Sequence, residues 1–402
     1  MKLSRFLSDG RWLVSAFLSL VLVMLCLVWS GCLPGPPPKG LKPVDRDRAE
    51  RLARRMAPEK QDLESWRDLR PGLKRSLEYV RSQREKEAQA TDVYGVSISW
   101  LELEVTLERM LQLLPRLERE GASVLAEHFR FYRLRPDPLF TGYFEPTLRA
   151  SLDKRPGYDV PIYALPEDLQ VADLGRFHTR WEGQTLVYRI EDGRIEPYFS
   201  REEIREHPDF RKKAQVLAWA KDRMEVFVLQ IQGSGRLKLP DGSIRYIGYA
   251  GKNGRPYRSL GQVLLEQGYM DDSSLDMWSI SSFLEDNPRL LPEILDTNPS
   301  FVFFELRKDG PYGAMDKKLT PMASLATDPS VIPLGAPLVY QVHLPERGSE
   351  DTLRLTGLGM AQDVGGAITG HHLDLFCGAS EKARFRAGHL KEKGSVYVML
   401  AR

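Results

Sequence analysis

From about residue 140 the sequence runs in short apolar stretches broken by glycine, proline and Asp-Gly pairs, as in FVLQIQGSGRLKLPDGSIRYIGYAGKNG. That texture predicts strands joined by tight turns, because these residues supply the backbone angles that turns require. Residues 44 to 135 read differently. Ser99 and Glu102 form a capping box, and Leu103, Leu107, Met110, Leu111 and Leu114 follow as one apolar stripe, which predicts a core-facing helix. Helical spacing returns from about 255 to 296, in SLGQVLLEQGY and around Leu290, Leu291 and Ile294, and NPSFVFFEL then opens new strands. No repeat of fixed period interrupts this order, so a repeat architecture is excluded. At 402 residues, 42% of them hydrophobic, the chain can bury a sizeable core and fill two or three domains.

The first 31 residues carry Lys2, Arg5 and Arg11 ahead of an apolar run from Trp12 to Trp29, the pattern of an export signal. Ser30 and Gly31 lead into Cys32, where a lipoprotein signal peptidase would cut and leave Cys32 for acylation, although Trp29 is bulkier than the usual residue at its place. The other reading is an uncleaved anchor, since the run is nearly long enough to span a bilayer. Both place the remainder outside the inner membrane, and Leu33 after Cys32 directs a lipid-anchored chain to the periplasmic side of the outer membrane. Residues 32 to 45 are then the lipidated cysteine and a linker. Its proline-rich stretch LPGPPPKGLKP, 33 to 43, predicts an extended tether. With Cys26 lost and Cys32 acylated, Cys377 has no partner, so no disulfide framework is predicted.

The chain has 57 basic and 55 acidic residues, and the signal alone accounts for the +2 excess. A neutral body lacks the basic field of nucleic-acid binders, which disfavours that class of partner and leaves a mostly uncharged polymer open.

In MEVFVLQIQGSG, strand alternation would put Phe227, Leu229 and Ile231 on one face and Gln230 and Gln232 on the other, ahead of Gly233, Ser234 and Gly235. Amide side chains beside bare backbone suit sugar hydroxyl and acetamide groups. The plainer alternative is that GSG is only a turn; a phosphate loop is poorer, because no GK[ST] follows. YAGKNGRPYRSLG sets Tyr249, Lys252, Asn253, Tyr257 and Arg258 among three glycines, rings and polar groups able to stack on and bond to pyranose faces.

The stretch AQDVGGAITGHHLDLFCG holds two carboxylates eleven residues apart, Asp363 and Asp374. Gly365 and Gly366 permit unusual backbone angles and open space, and alternation sets His372, Asp374 and Phe376 on one face. A strand, a glycine turn and a returning strand could bring the carboxylates together, and a neighbouring negative charge or burial would turn one into a usable general acid. The bland alternative is that both cap turns. No metal site is predicted: His371 and His372 point to opposite faces and no HExxH or CxxC companion exists. A shared-proton aspartic protease would need a second equivalent loop.

Taken together, FTGYFEPTLRAS (140 to 151), VLQIQGSGRLKLPDGS (228 to 243), GYAGKNGRPYRSLG (248 to 261), NPSFVFFEL (298 to 306) and DVGGAITGHHLDLF (363 to 376) resemble the membrane-bound lytic murein transglycosylase A family. The last block also resembles the 3D domain, named for three aspartates, here Asp328, Asp363 and Asp374. The resemblance spans roughly residues 135 to 402. It implies a mainly β fold with N-terminal helices: a double-psi β-barrel assembled from segments 46–140 and 298–402, a second β-rich domain inserted at 141–297, and a glycan groove between them. It implies cleavage of the β-1,4 bond between N-acetylmuramic acid and N-acetylglucosamine by the muramyl 6-hydroxyl, with no cofactor and no metal, by a monomer. Asp363 is then the catalytic acid, with Asp374 and Asp328 in support. Tyr143, Glu145, Gln230, Gln232, Gly233, Ser234, Tyr249, Lys252, Asn253, Tyr257, Arg258, Gly365 and Gly366 are expected along the groove. Two competing classes remain: a non-catalytic peptidoglycan-binding lipoprotein, which needs the groove but not the acid, and a hydrolase of the same glycan.

Overall fold

The computed structural model describes residues 40–86, 91–93, 95–271, 277–348 and 352–402; the signal segment, Cys32 and linker residues 33–39 lie outside them. Helix Trp100–Glu120 starts where predicted, Ser99 accepting the amide of Glu102. Its stripe Leu103, Leu107, Met110 and Leu114 is buried, with Leu111 half-buried at its margin. It packs beside helix Arg70–Arg84 and against the C-terminal strand Ser395–Ala401, where Thr106 Oγ1 accepts the amide of Ala401 at 2.9 Å.

The fold is mainly β with helices. A nine-stranded sheet runs, in spatial order, Gly40–Val44, Phe129–Arg135, Ser395–Ala401, Pro337–Leu344, Leu353–Asp363, Ser324–Ala326, His372–Phe376, Leu139–Tyr143 and Lys391–Lys393. Its core side merges with the N-terminal helices into one large apolar cluster. A six-stranded sheet (Val302–Arg307, Ile244–Lys252, Ser234–Lys238, Thr147–Ser151, Val216–Ala220, Val160–Tyr163) and a small three-stranded one (Arg194–Pro197, Thr185–Glu191, Gln170–Asp173) follow from the middle of the chain. Helices Leu260–Glu266, Met277–Asp286 and Leu291–Asp296 occupy the stretch where helical spacing returns. Among the described residues no helix is long and apolar enough to cross a membrane.

Two expectations need correction. The end of the predicted tether is not free chain: Gly40–Val44 is an edge strand paired with Phe129–Arg135, and Leu41 is buried. Proline is tolerated there because an edge strand does not need every N–H. Residues Arg223–Gln232 are a helix, not a strand. Asp222 accepts the amide of Glu225 at the start, and Gly233 closes the end with φ +76°. The helix lies between two cores: Val226 and Leu229 meet the six-stranded sheet, while Met224 and Phe227 meet the helices of 260–296. A helix apolar on opposite sides has no polar stripe, so its sequence cannot be told from a buried strand.

Candidate active site

The nine-stranded sheet solves the problem of bringing Asp363 and Asp374 together by register alone. Ala326 lies opposite Asp363 on one side and opposite Asp374 on the other, and Asp374 in turn lies opposite Thr141. Cross-strand partners share a face, so the two carboxylates stand in one row, separated by a methyl group. The strand that ends in Asp363 is fixed by its buried neighbour Gln362, whose side chain reaches helix Arg70–Arg84 at the carbonyl of Gly72 (3.0 Å) and Ser76 Oγ (2.8 Å).

Asp363 accepts three hydrogen bonds. Tyr143 donates its hydroxyl to Oδ2 at 2.9 Å, and the amides of Ala314 and Val364 donate to Oδ1 at 2.8 and 2.9 Å. Beside it Tyr143, Leu319, Ala326, Ile368 and Phe376 form a small apolar cluster. Burial pushes the Asp363 carboxyl up to about 6, against the pull of the Val364 amide, the Tyr143 hydroxyl and the Ala314 amide. Asp374 has less help, a single bond from Thr141 Oγ1 at 2.8 Å. Burial, with the charge of Asp363 added, pushes it up to about 7. The two carboxyls interact, so these values describe the pair as much as either member.

Asp328 behaves differently. Burial alone would raise it, but Oδ2 accepts the amide of Gly370 at 2.6 Å and Oδ1 accepts the amide and hydroxyl of Ser330, which together hold its carboxyl below the usual range. It is an anchor for the loop between the two strands. That loop is exposed at Val364, Gly366, Ala367 and Thr369, so one side of Asp363 opens to solvent. Neither Gly365 nor Gly366 uses a left-handed backbone angle, contrary to expectation. A side chain on Gly365 would collide with Ile368, whereas one on Gly366 would meet nothing within 4 Å.

The expected groove residues divide. Tyr143 is buried and binds the acid itself. Gln232 accepts the amide of Phe144, next to Tyr143. Glu145 is buried and pairs through Oε2 with Arg236 Nε at 2.7 Å; its Oε1, like that of buried Gln230, has no hydrogen-bond partner among the described residues. Burial raises the Glu145 carboxyl more than Arg236 lowers it. Gly233 caps the corrected helix and Ser234 is buried in the strand after it. In the second block, Tyr249 and Tyr257 expose about half their surface, 49% and 54%. Lys252 is exposed, and Arg258 pairs with Glu266 at 2.6 Å. Asn253 is the correction here: it is 1% exposed, and its amide is consumed by the carbonyls of Phe199 and Pro299 and the amides of Phe301 and Arg255. It is architecture, unavailable to a ligand. No hydrogen bond or ion pair among the described residues joins this second block to the carboxylates.

Four residues that hold the candidate side chains in place escaped the sequence reading. Thr141 had a signal, since it alternates with Tyr143 in FTGY. Ala314 and Gly313 had none. They lie on a loop whose approach to Asp363 depends on Gly313, where any side chain would strike the carbonyl of Gln362 at 2.6 Å. Arg236 follows the GSG turn and was passed over for the turn itself. Among the described residues no group of three or more His, Cys, Asp or Glu is placed to hold a metal ion.

Two family models match the regions that build this site: the MltA specific insert domain over residues 139–305 and the 3D domain over residues 323–400. Over both stretches the chain is similar to the MltA family. It is 33% identical over 267 residues to the membrane-bound lytic murein transglycosylase A of Escherichia coli strain K12, and the match covers 65% of this chain and 65% of that relative's own length. MltA from Neisseria gonorrhoeae, in its monoclinic form, aligns at 28% identity with a TM-score of 0.67, over 91% of this chain and 96% of that one. The E. coli MltA structure with bound chitohexaose has the same fold, with 24% identity, a TM-score of 0.63, and coverage of 91% and 95%. Within MltA terms, both Asp363 and Asp374 fall in the 3D domain, while Thr141 and Tyr143 come from the start of the insert match.

Proposed function

We propose that this chain is a lytic transglycosylase that cleaves the β-1,4 bond between N-acetylmuramic acid and N-acetylglucosamine in peptidoglycan and leaves 1,6-anhydromuramic acid ends. The observation that carries the reading is Asp363: a carboxyl raised to about 6, open on one side to solvent, in a family whose curated relative is a murein transglycosylase. A general acid works best when its pKa lies near the operating pH. The chitohexaose bound by the E. coli structure agrees with a β-1,4 glycan as ligand.

Protonated Asp363 gives its proton to the glycosidic oxygen as the C1–O bond breaks and positive charge develops on the sugar ring. The resulting carboxylate then takes the proton of the C6 hydroxyl while that oxygen bonds to C1, and the acid is restored. Ordinary glycosidases need a second carboxylate as nucleophile or base. Here the nucleophile belongs to the sugar, and an attached, oriented group can act at an effective molarity on the order of 10⁵ M or more. The reaction needs no cofactor. Asp374 supports by its charge and Asp328 by holding the loop.

The wider reading follows the same support. The parallel pairs Ser324–Ala326 with Leu353–Asp363 and His372–Phe376 with Leu139–Tyr143 support reading the nine strands as a double-psi barrel; its insert is the expected 141–297, begun after Tyr143 and carried on to Val302–Arg307, which pairs with Ile244–Lys252, with the glycan groove between them. Cys32 carries the lipid that holds a monomer on the periplasmic side of the outer membrane. Incubating the full chain with purified murein should release anhydromuropeptides. Reducing ends would mean a hydrolase, and binding without products would mean a non-catalytic glycan-binding lipoprotein; either outcome overturns the proposal.

A further inference from the structure

His372, Thr141 and Asp374 form a chain of hydrogen bonds that admits only two arrangements of its protons. Thr141 Oγ1 lies 2.8 Å from Asp374 Oδ1 and 2.9 Å from His372 Nε2, while His372 Nδ1 lies 3.2 Å from the carbonyl of Ala367. A carbonyl only accepts, so Nδ1 carries a hydrogen. The threonine hydroxyl has one hydrogen to give. When it points at the carboxylate, Nε2 must donate as well, and the chain is an imidazolium with an ionised Asp374. When it points at Nε2, the imidazole is neutral and Asp374 must carry the proton. Both arrangements hold the same number of protons, and they differ in whether a negative charge stands in the row beside Asp363.

We propose that His372, acting through the Thr141 hydroxyl, sets the charge on Asp374 and so the charge that Asp363 faces in each step of its cycle. The proposal rests on Asp363 being the acid. His372 is a positioning residue and touches no reacting atom. As Asp363 gives up its proton and becomes anionic, the Nε2 hydrogen passes to Thr141 Oγ1 and the threonine hydrogen passes to Asp374 Oδ1, which removes the second negative charge from the row. When Asp363 recovers a proton from the C6 hydroxyl, both hydrogens return. No net proton enters or leaves the chain.

The surroundings leave this chain to itself. The strand Leu353–Asp363 contributes Asp363, and Leu139–Tyr143 contributes Tyr143, whose hydroxyl is given to Asp363. Ser324–Ala326 contributes only the methyl of Ala326. On the edge strand, exposed Lys391 stands opposite Thr141, and Glu392 turns to His343. Behind lies the buried Cys377 thiol, pushed up by burial and by the charge of Asp374. Asp328 is occupied with Gly370 and Ser330. Burial brings Asp374 up to about 7, where moving its proton costs little near neutrality.

The test uses the full chain labelled with ¹⁵N-histidine, the His372 resonances being assigned with His372→Gln. Near pH 6.5, Asp374→Asn and Thr141→Val should each move the His372 Nε2 signal, although His372 and Asp374 do not touch, and Thr141→Ser should leave it in place. In turnover, Thr141→Val should lower kcat about tenfold at unchanged KM, a tenth of the lower bound usual for an acid–base group itself, with Thr141→Ser restoring it. An Nε2 signal identical in wild type, Asp374→Asn and Thr141→Val overturns the relay and leaves the Asp363 reaction standing. Coupled signals in a chain that yields no anhydro ends overturn the reaction and leave the relay.

Discussion

Asn253 and Asp363 are both polar side chains drawn out of water, yet the insert saturates the first while the nine-stranded sheet leaves the second at a cost. Every donor and acceptor of the Asn253 amide meets a backbone partner at 2.8 to 3.3 Å, so its burial is compensated in full and nothing remains for a ligand. Asp363 accepts three bonds and is still raised to about 6, and Asp374, with one, to about 7. Saturated burial fixes geometry; under-compensated burial stores a proton that chemistry can use. Both kinds of residue stand out in a sequence as polar groups among glycines and aromatics, and only the bond count separates them.

The sharpest way to break the comparison is at the acid. Asp363→Asn keeps the shape and one acceptor oxygen for the amides of Ala314 and Val364, and turns an NH2 donor toward the Tyr143 hydroxyl, but removes the transferable proton. Release of anhydromuropeptides should fall by about 10³-fold or more, with glycan binding retained, measured by product chromatography and a pull-down on insoluble murein. Residual activity within tenfold of wild type would remove Asp363 from its role. At the saturated site the expectation is the reverse. Asn253→Ala strands the Phe199 carbonyl and the amides of Phe301 and Arg255, and takes from the Pro299 carbonyl one of its two donors; it should lower stability by about 2–4 kcal/mol, seen as a drop in Tm, while any folded fraction keeps normal kcat. A folded variant of normal Tm with weakened glycan binding would mean that Asn253 faces the ligand after all.

How far these roles were legible depended on the range of the interaction that sets them. Helix Trp100–Glu120 could be read because its cap and stripe are local, within a few residues of each other. Arg223–Gln232 was misread although Asp222 and Gly233, its local start and stop signals, were both present; the apolar pattern forced by two flanking cores outweighed them. The proximity of Asp363 and Asp374 was a guess from a glycine turn. What fixes it is the strand Ser324–Ala326 lying between them, some forty residues earlier in the chain, and no local pattern encodes that register. The same is true of the Ala314 amide, delivered to Asp363 from a loop that only Gly313 allows to come close. The block resemblance pointed to Asn253 as readily as to Tyr249, because a motif marks positions without saying whether they face in or out.

Asp374 extends the comparison to pH. Its folded-state value, about 7, lies above the ordinary carboxylate value, so the fold favours its protonated form. The stability this contributes is complete below about pH 4 and is lost as pH rises through about 7. Asp374→Asn should therefore flatten the decline of Tm between pH 5 and pH 8 by a few degrees, roughly. A wild-type Tm that does not fall over this range, or a variant that falls as steeply, would show that Asp374 carries no such cost.

The smallest effects test the acid's own balance, through two substitutions, of which one should move the pH profile and the other should not. Tyr143→Phe removes one of the three donors that favour the carboxylate, so Asp363 holds its proton to higher pH and the alkaline limb of kcat/KM moves up from about 6 by about half a unit to one unit. Asp374→Asn puts a neutral amide where Asp374, at about 7, is itself still protonated as Asp363 ionises, so the limb should stay near its wild-type position. On the acid side of the profile Tyr143→Phe should leave kcat much as it is, whereas Asp374→Asn, which removes the end of the Thr141 relay, should lower it as Thr141→Val does. If Asp374→Asn moved the limb as far as Tyr143→Phe, the limb would not be reporting Asp363, and the contrast between a costly carboxylate and a saturated amide would lose its functional half.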